Sequence, residues 1–355
     1  MILRLTSNYG PDAVELELPD AFSGRAVLIR HRPDVVQLLT QRHAMLLAAF
    51  GSKLAPMIGR AADALTLSLA RFGSRHGSWG EDFHHYHNEN HALEILDGRI
   101  GRLMNHVGLQ AMAGEDWVAL QLFATCHDLR QREVVDFARP VGNNEAASIA
   151  ETFRILDVCG FDRERDRGLY LDLELMIAGS TFDARPGATP ASYNTAEVAA
   201  TGGALAPRIG AYLDQSVPGW RDDADIQRAV ELAQIASDLD TANVAEAFPW
   251  LAESASRLCQ EREMRSGRDL RAEESAMPCV GFLSDGQVRY FFELHRFCSE
   301  LGEATFAATK AENGPKVRSL ADALRGRFKG EGATPPSSGL EVVREFSRLT
   351  LAALV

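Results

Sequence analysis

Long apolar runs, paired cysteines and an excess of basic residues are all missing from this 355-residue chain. No stretch reaches the ~18 uncharged apolar residues that crossing a bilayer takes, so no membrane partner is expected. The N-terminal MILRLTSNYGPDAVELELPD carries acids where a secretory signal has its apolar centre. The five cysteines (Cys126, Cys159, Cys259, Cys279 and Cys298) are odd in number, widely spaced and free of any CxxC pair. They read as reduced, mostly buried thiols, and the expected location is the cytoplasm. Lys and Arg number 37 against 49 Asp and Glu, a net charge of −12. That balance argues against a nucleic-acid polymer as partner, because binding one needs a concentrated basic face. It leaves room for a small anion held by a metal, since a bound cation dominates the local field.

What is present is ordinary globular material, 46% hydrophobic and 24% charged, in a chain long enough to bury a full core without staples. At ~150 residues per domain the length suggests about two domains, and one large helical domain also fits. No internal repeat is visible. Val14, Leu16 and Leu18 alternate with Glu15 and Glu17, and Ala26 to Ile29 follows, so a small N-terminal β element is expected. Pro33 suits the first turn of a helix over Val35 to Phe50. Leu54, Met57, Ile58, Ala61, Leu65 and Leu69 recur at three- and four-residue intervals, which predicts a helix from Lys53 to Phe72.

From Phe83 to Phe306 the long segments read as helix, notably Leu93 to Met104, Val118 to Leu129, Ala146 to Val158, Leu171 to Ile177, Asp225 to Leu239 and Val288 to Phe297. Ser180 to Ala204, rich in Thr, Ala, Gly and Pro, reads as a long irregular connection of the kind that borders sites. Lys329 to Gly339 is a second one, before a C-terminal helix over Leu340 to Leu354 that docks either on the body or on another subunit. A homodimer therefore stays open. The division expected is an N-terminal appendage over 1–75, a catalytic domain over 76–328, and a linker with the C-terminal helix over 329–355.

Chemistry concentrates between Phe83 and Glu145. Four of the ten histidines fall within eight positions, His84, His85, His87 and His91. His87 and His91 are four apart and share a face if helical, and imidazole is the commonest neutral nitrogen ligand for zinc-like metals. His127-Asp128 ends an apolar run, where a polar pair is costly without a partner and a metal serves as one. Asp238 interrupts another apolar helix, in Ala236-Ser237-Asp238-Leu239. Each piece alone fits an ordinary surface or core residue. The ordered set His…His-Asp…Asp on helices is different.

That set resembles the ligand pattern of the HD metallohydrolase superfamily. Within it, Tyr86-His87-Asn88-Glu89-Asn90-His91-Ala92 is most similar to the Tyr-His-Asn-x-x-His-Ala motif of class I cyclic-nucleotide phosphodiesterases. The resemblance covers about Phe83 to Phe297 and implies a mainly α, phosphodiesterase-like helical bundle. It implies His87 as the proton donor to the leaving oxygen, with Asn88 beside it in the substrate motif. It implies His91, His127, Asp128 and Asp238 as ligands of divalent metals, Zn plus Mg or Mn. Downstream, Gln260 to Gly267, Met277-Pro278-Cys279 and Gln287-Val288-Arg289-Tyr290-Phe291 follow the order of the family's later motifs. By that similarity Gln287 would hydrogen-bond a purine and Tyr290 stack on it. Gln131 stands where the family has a second histidine, which leaves one metal or two open, and Glu94 stands where it has an aspartate. Asn143-Asn144-Glu145-Ala146-Ala147-Ser148 looks more like the Asn-Glu-x-x-Ser of other HD phosphohydrolases. Glu145 then either hydrogen-bonds a water or histidine at the metal or is a first-turn acid at a helix N-terminus. His84 and His85 are either groups around the site or an exposed entry to the helix.

The activity these expectations describe is hydrolysis of a cyclic nucleotide phosphodiester by metal-activated water, with His87 as general acid. Two alternatives stay open: hydrolysis of a noncyclic nucleotide or another phosphorylated metabolite, and a non-catalytic sensor of nucleotide or metal. In each the partner is a small nucleotide or phosphate compound.

Overall fold

The computed structural model describes residues 2–3, 9–133, 141–183 and 203–353. The fold is mainly α. The strands among the described residues are Phe182–Asp183 and Gly203–Ala204, paired with each other. No helix among the described residues is long and apolar enough to cross a membrane. Residues 184–202, most of the expected irregular connection, lie outside the described residues.

Contacts divide the chain into two units. The first comprises Met1–Phe182, Ala204–Asp240 and Cys298–Gly302; the second comprises Asp183–Gly203, Thr241–Phe297 and Glu303–Val355. The division expected from sequence has other bounds. The boundary at 75 falls at the end of a helix whose residues fill the core of the first unit, so the N-terminal helices are part of that body.

In the first unit the N-terminal β element is replaced by two helices, α1 (Ala13–Glu17) and α2 (Ala21–His31). Asp12 caps α1 by accepting the Glu15 amide, and Asp20 with Ser23 forms a capping box on α2. The alternation at 14–18 misleads because the inward residue is an acid. Glu15 is buried against Arg71 and Arg154, whereas Leu16 is 72% exposed. Then come α3 (Pro33–Phe50), which begins on Pro33 as expected, and α4 (Ala55–Arg75). Along α4, Ala64, Leu67, Ala70 and Phe72 are fully buried. A side chain of that size, leucine or phenylalanine, contributes about 1.5–3 kcal/mol when removed from water. Gly24 lets α2 lie directly on α4: a Cβ there would stand 3.2 Å from the Leu67 Cα.

The site-bearing elements follow. They are α5 (Glu89–Leu93), a π-helical stretch Glu94–Arg99, α6 (Ile100–Val107), α7 (Gly114–Cys126), α8 (Asn143–Val158), α9 (Arg167–Ser180), α10 (Ile209–Ser216) and α11 (Ala224–Thr241). From Trp117 to Cys126 helix α7 is buried on all sides, including Trp117, Leu120 and Phe123. It therefore shows no polar face and acts as the central rod of this unit.

The second unit contains α12 (Phe248–Arg265), α13 (Ala276–Gly281), α14 (Gln287–Arg289) between two π-helical stretches, most of α15 (Glu300–Lys329), and α16 (Gly339–Ala352). The expected helix over Val288–Phe297 stops early, since His295 is already extended. The C-terminal helix docks on its own chain. Val342, Val343, Phe346 and Thr350 are buried, Ser338 caps the N-terminus, and the Gly339 amide donates to Ser275 Oγ at 2.9 Å.

Candidate metal centre

Helix α5 starts on Asn88, whose Oδ1 accepts the Asn90 amide at 2.9 Å and whose Nδ2 donates to the His84 carbonyl at 2.6 Å. Asn88 is 2% exposed. Both ends of its amide, in the residue expected to bind substrate, are thus engaged in shaping the backbone. His91 sits within α5, and the π-helical stretch behind it carries Glu94 and Arg99; such bulges recur at functional sites. His87 precedes the helix, so the shared helical face anticipated for His87 and His91 does not form. Their rings still meet nearly edge to face, with centroids 6.0 Å apart.

His127 is the C-cap residue of α7. Its Nδ1 lies 3.2 Å from the Phe123 carbonyl, an acceptor only, which puts a proton on Nδ1 and leaves Nε2 as the atom turned toward the cluster. Asp128 follows directly. Its Oδ2 is 3.0 Å from His127 Nε2 and 3.6 Å from His91 Nε2. Its Oδ1 accepts from Gln131 Nε2 at 2.8 Å, and Gln131 Oε1 accepts from Asn144 Nδ2 at 3.3 Å. The residue that departs from the family pattern thus holds Asp128 in place.

The fourth group is Asp240. Its Oδ1 stands 3.1 Å from His91 Nε2 and 3.5 Å from His127 Nε2. Asp238, the residue expected here, points elsewhere. Its Oδ1 accepts the Cys298 amide at 2.8 Å, and its Oδ2 accepts the Ser299 amide at 2.9 Å and the Ser299 hydroxyl at 2.6 Å. It anchors the turn that begins α15, so in place of Asp238 the aspartate in the cluster is Asp240. Arg99 fixes that end of α11, with Nη1 donating to the carbonyls of Leu239, at 3.1 Å, and Asp240. Sequence reasoning missed both Asp240 and Arg99. Asp240 left a trace as the second acid of Asp-Leu-Asp; Arg99 left none beyond a charge inside an apolar helical face.

One ligand atom each from His91, His127 and Asp240 lies within 4.8 Å of the others, a group that could hold a metal ion. The donor set fits a zinc-like or harder divalent cation. His127 Nε2 is a buried nitrogen without an aligned hydrogen bond, turned toward a carboxylate 3.0 Å away, and a cation at the shared centre would take that nitrogen in place of a proton. Burial opposes charge throughout, yet the carboxylates of Asp128 and Asp240 raise the His127 pKa well above its usual value. Burial raises Asp128 and Asp240 as well. The surrounding imidazoles outweigh it, holding Asp128 at about 2 and Asp240 well below the carboxylate range. Both acids are therefore anionic at neutral pH.

Glu145 opens the first turn of α8 and folds back so far that a Cβ on Gly142 would collide with its Oε2. Burial, with Asp128 nearby, pushes its carboxyl up to about 7 against the opposing pull of His87 and His127. Glu94 lies behind the cluster, 4.0 Å from His91 Nδ1 and 3.7 Å from Arg99. Gln287 and Tyr290 belong to the second unit and are half-buried. The Tyr290 hydroxyl donates to Asn243 Oδ1 at 3.3 Å. Compared with known proteins, the chain matches no family model and no curated protein sequence.

Proposed function

We propose that this chain is a metal-dependent phosphohydrolase. The observation that carries the reading is the convergence of one ligand atom each from His91, His127 and Asp240, with the ionised Asp128 carboxylate 3.0 and 3.6 Å from the two imidazoles. These four residues would hold a divalent cation. When bound, that cation supplies Lewis acidity toward a phosphoryl oxygen and makes a water nucleophilic at neutral pH.

The chain's own groups do the rest. His87, beside the cluster and close enough to Asp128 and Glu145 to feel both charges, gives a proton to the leaving oxygen as its bond to phosphorus breaks. Glu145, poised near neutrality, takes the proton released by the attacking water. Gln131 and Asn144 keep Asp128 from rotating away, and Arg99 keeps the end of α11 in place.

The first substrate to test is a 3′,5′-cyclic nucleotide, on the motif resemblance around His87 and the order of Gln287 and Tyr290 downstream. The chain Asn144–Gln131–Asp128 favours a second reading, a noncyclic nucleotide or another phosphorylated metabolite, because an amide replaces the second-metal histidine of the phosphodiesterase pattern. The test is a screen of the purified full chain, supplemented with zinc, manganese or magnesium. Its panel is cyclic mononucleotides, cyclic dinucleotides, and nucleoside mono- and triphosphates. Turnover of one class, abolished by His127→Ala, is expected. Absence of stoichiometric metal after supplementation overturns the proposal.

A further inference from the structure

A second group of histidines lies in the same unit, on the loop between α4 and α5. His76, the C-cap residue of α4, and His84 are buried, and both face Asp82. His76 Nδ1 is 3.1 Å and His84 Nε2 is 3.2 Å from Asp82 Oδ2, and the two rings lie 4.4 Å apart between centroids. One ligand atom from each of the three lies within 4.8 Å of the other two. The loop is already closed around them by backbone hydrogen bonds, His84 N to His76 O at 2.9 Å and Asp82 N to Arg75 O at 3.3 Å.

We propose that His76, Asp82 and His84 form a structural site for a zinc-class divalent cation, separate from the cluster at His91 and His127. Three arguments support it. First, ligand atoms around a tetrahedral zinc with bonds of about 2.0 Å are about 3.3 Å apart, and the two measured edges fall close to that value. Second, two buried imidazoles share one carboxylate oxygen that already accepts from Arg132 Nε at 2.8 Å. A cation at the centre of the triangle satisfies all three ligand atoms at once, whereas without it both imidazoles and Arg132 Nε crowd onto Asp82 Oδ2, and His76 Nδ1 has only the Asp82 carbonyl, at 3.3 Å, as a second partner. Third, the site sits at the C-terminal end of a 21-residue helix, where the carbonyl dipoles favour positive charge.

The consequence is mechanical. The His84 carbonyl accepts from Asn88, which caps α5. A cation holding His84 to His76 therefore fixes the short segment that presents His87 and starts the helix of His91. Arg132 is the built-in competitor, with Nε and Nη2 both donating to Asp82.

The test is zinc stoichiometry and cobalt absorption on the metal-stripped full chain. In His127→Ala, which removes a ligand of the other cluster, one zinc equivalent is expected to remain and to raise the melting temperature. Adding His76→Ala, or Asp82→Asn where the first variant fails to fold, is expected to remove that equivalent. Arg132→Gln alters a half-exposed side chain and is expected to tighten the remaining site about tenfold by deleting the competing cation. The proposal is overturned if His127→Ala retains no zinc, or if its equivalent survives both His76→Ala and Asp82→Asn. It is equally overturned if Arg132→Gln leaves zinc affinity unchanged or weaker.

Discussion

Asp238 and Asp240 are two residues apart on one helix and have opposite assignments, which makes them a sharp test of the site. Asp238→Ala removes an acceptor of three short hydrogen bonds, from the amides of Cys298 and Ser299 and the hydroxyl of Ser299. Hydrogen bonds to a charged group contribute about 1.5–3 kcal/mol each, so the gross loss is roughly 5–9 kcal/mol. The net loss is smaller, because burial raises the Asp238 pKa even with these donors pulling it down, so holding the charge there is itself costly. Two half-buried amides lose their acceptor, giving an expected destabilisation of about 3–4 kcal/mol. For a unit of this size that is a fall in melting temperature of roughly 6–15 °C. The folded variant should still bind metal, and metal should still raise its melting temperature by the usual linkage. Asp240→Ala should do the reverse. Its metal affinity should fall by more than the roughly 10–100-fold that loss of an outer partner costs, and added metal should no longer stabilise it. Calorimetry with and without zinc, alongside metal analysis, reads both. If Asp238→Ala loses metal at an unchanged melting temperature, or Asp240→Ala keeps both metal and activity, the geometric assignment is wrong.

Other consequences can be checked separately. His87→Asn should lower kcat by about 10²–10⁴-fold with metal content unchanged, measured on whichever substrate the screen identifies. Gln131→Ala frees Asp128 Oδ1 and should weaken metal binding about 10–100-fold in a chelator competition, with little change in melting temperature. Asp172 on α9 is buried and shares Arg228 with Asp116, and burial pushes its carboxyl from 3.8 up to about 7. Its folded pKa lies above its unfolded one, so the protein loses stability as pH rises from about 4 to about 7, by up to about 4 kcal/mol. Asp172→Asn should flatten that part of the stability profile; an unchanged slope in pH-dependent denaturation rejects the assignment.

The helices that were legible share one property, an apolar stripe long enough to fix its own period. Leu54 to Leu69 runs through four turns, and only a helix places those residues on one side. The N-terminal alternation covers just five residues from Val14 to Leu18. Over that length a two-residue period cannot be told from a turn and a half of helix, and the decisive signals were the capping aspartates Asp12 and Asp20. The two-unit division was hidden for another reason. The first unit draws on three separated stretches of chain, and no linker composition marks where the path leaves it and returns.

The site was legible where chemistry is adjacent in sequence and obscure where it depends on helix rotation. His91, His127 and Asp128, separated in the sequence, lie side by side in the structure. Asp238 and Asp240 differ by about 200° around a helix axis, so only one can face the histidines. Sequence context favoured the one flanked by apolar residues, and that flank is the face that turns into the packed interior. The other acid is in the last turn of α11, where the carbonyls have no partner within the helix and Arg99 takes those of Leu239 and Asp240. His127 and Asp128 likewise lie at the end of α7. The candidate ligands from both helices are therefore carried at C-terminal ends, whose dipoles add negative potential to that of two carboxylates. Attraction for a cation is thus a property of how α7 and α11 end, as much as of which side chains they present. A motif records the side chains; only the fold shows where the helices end.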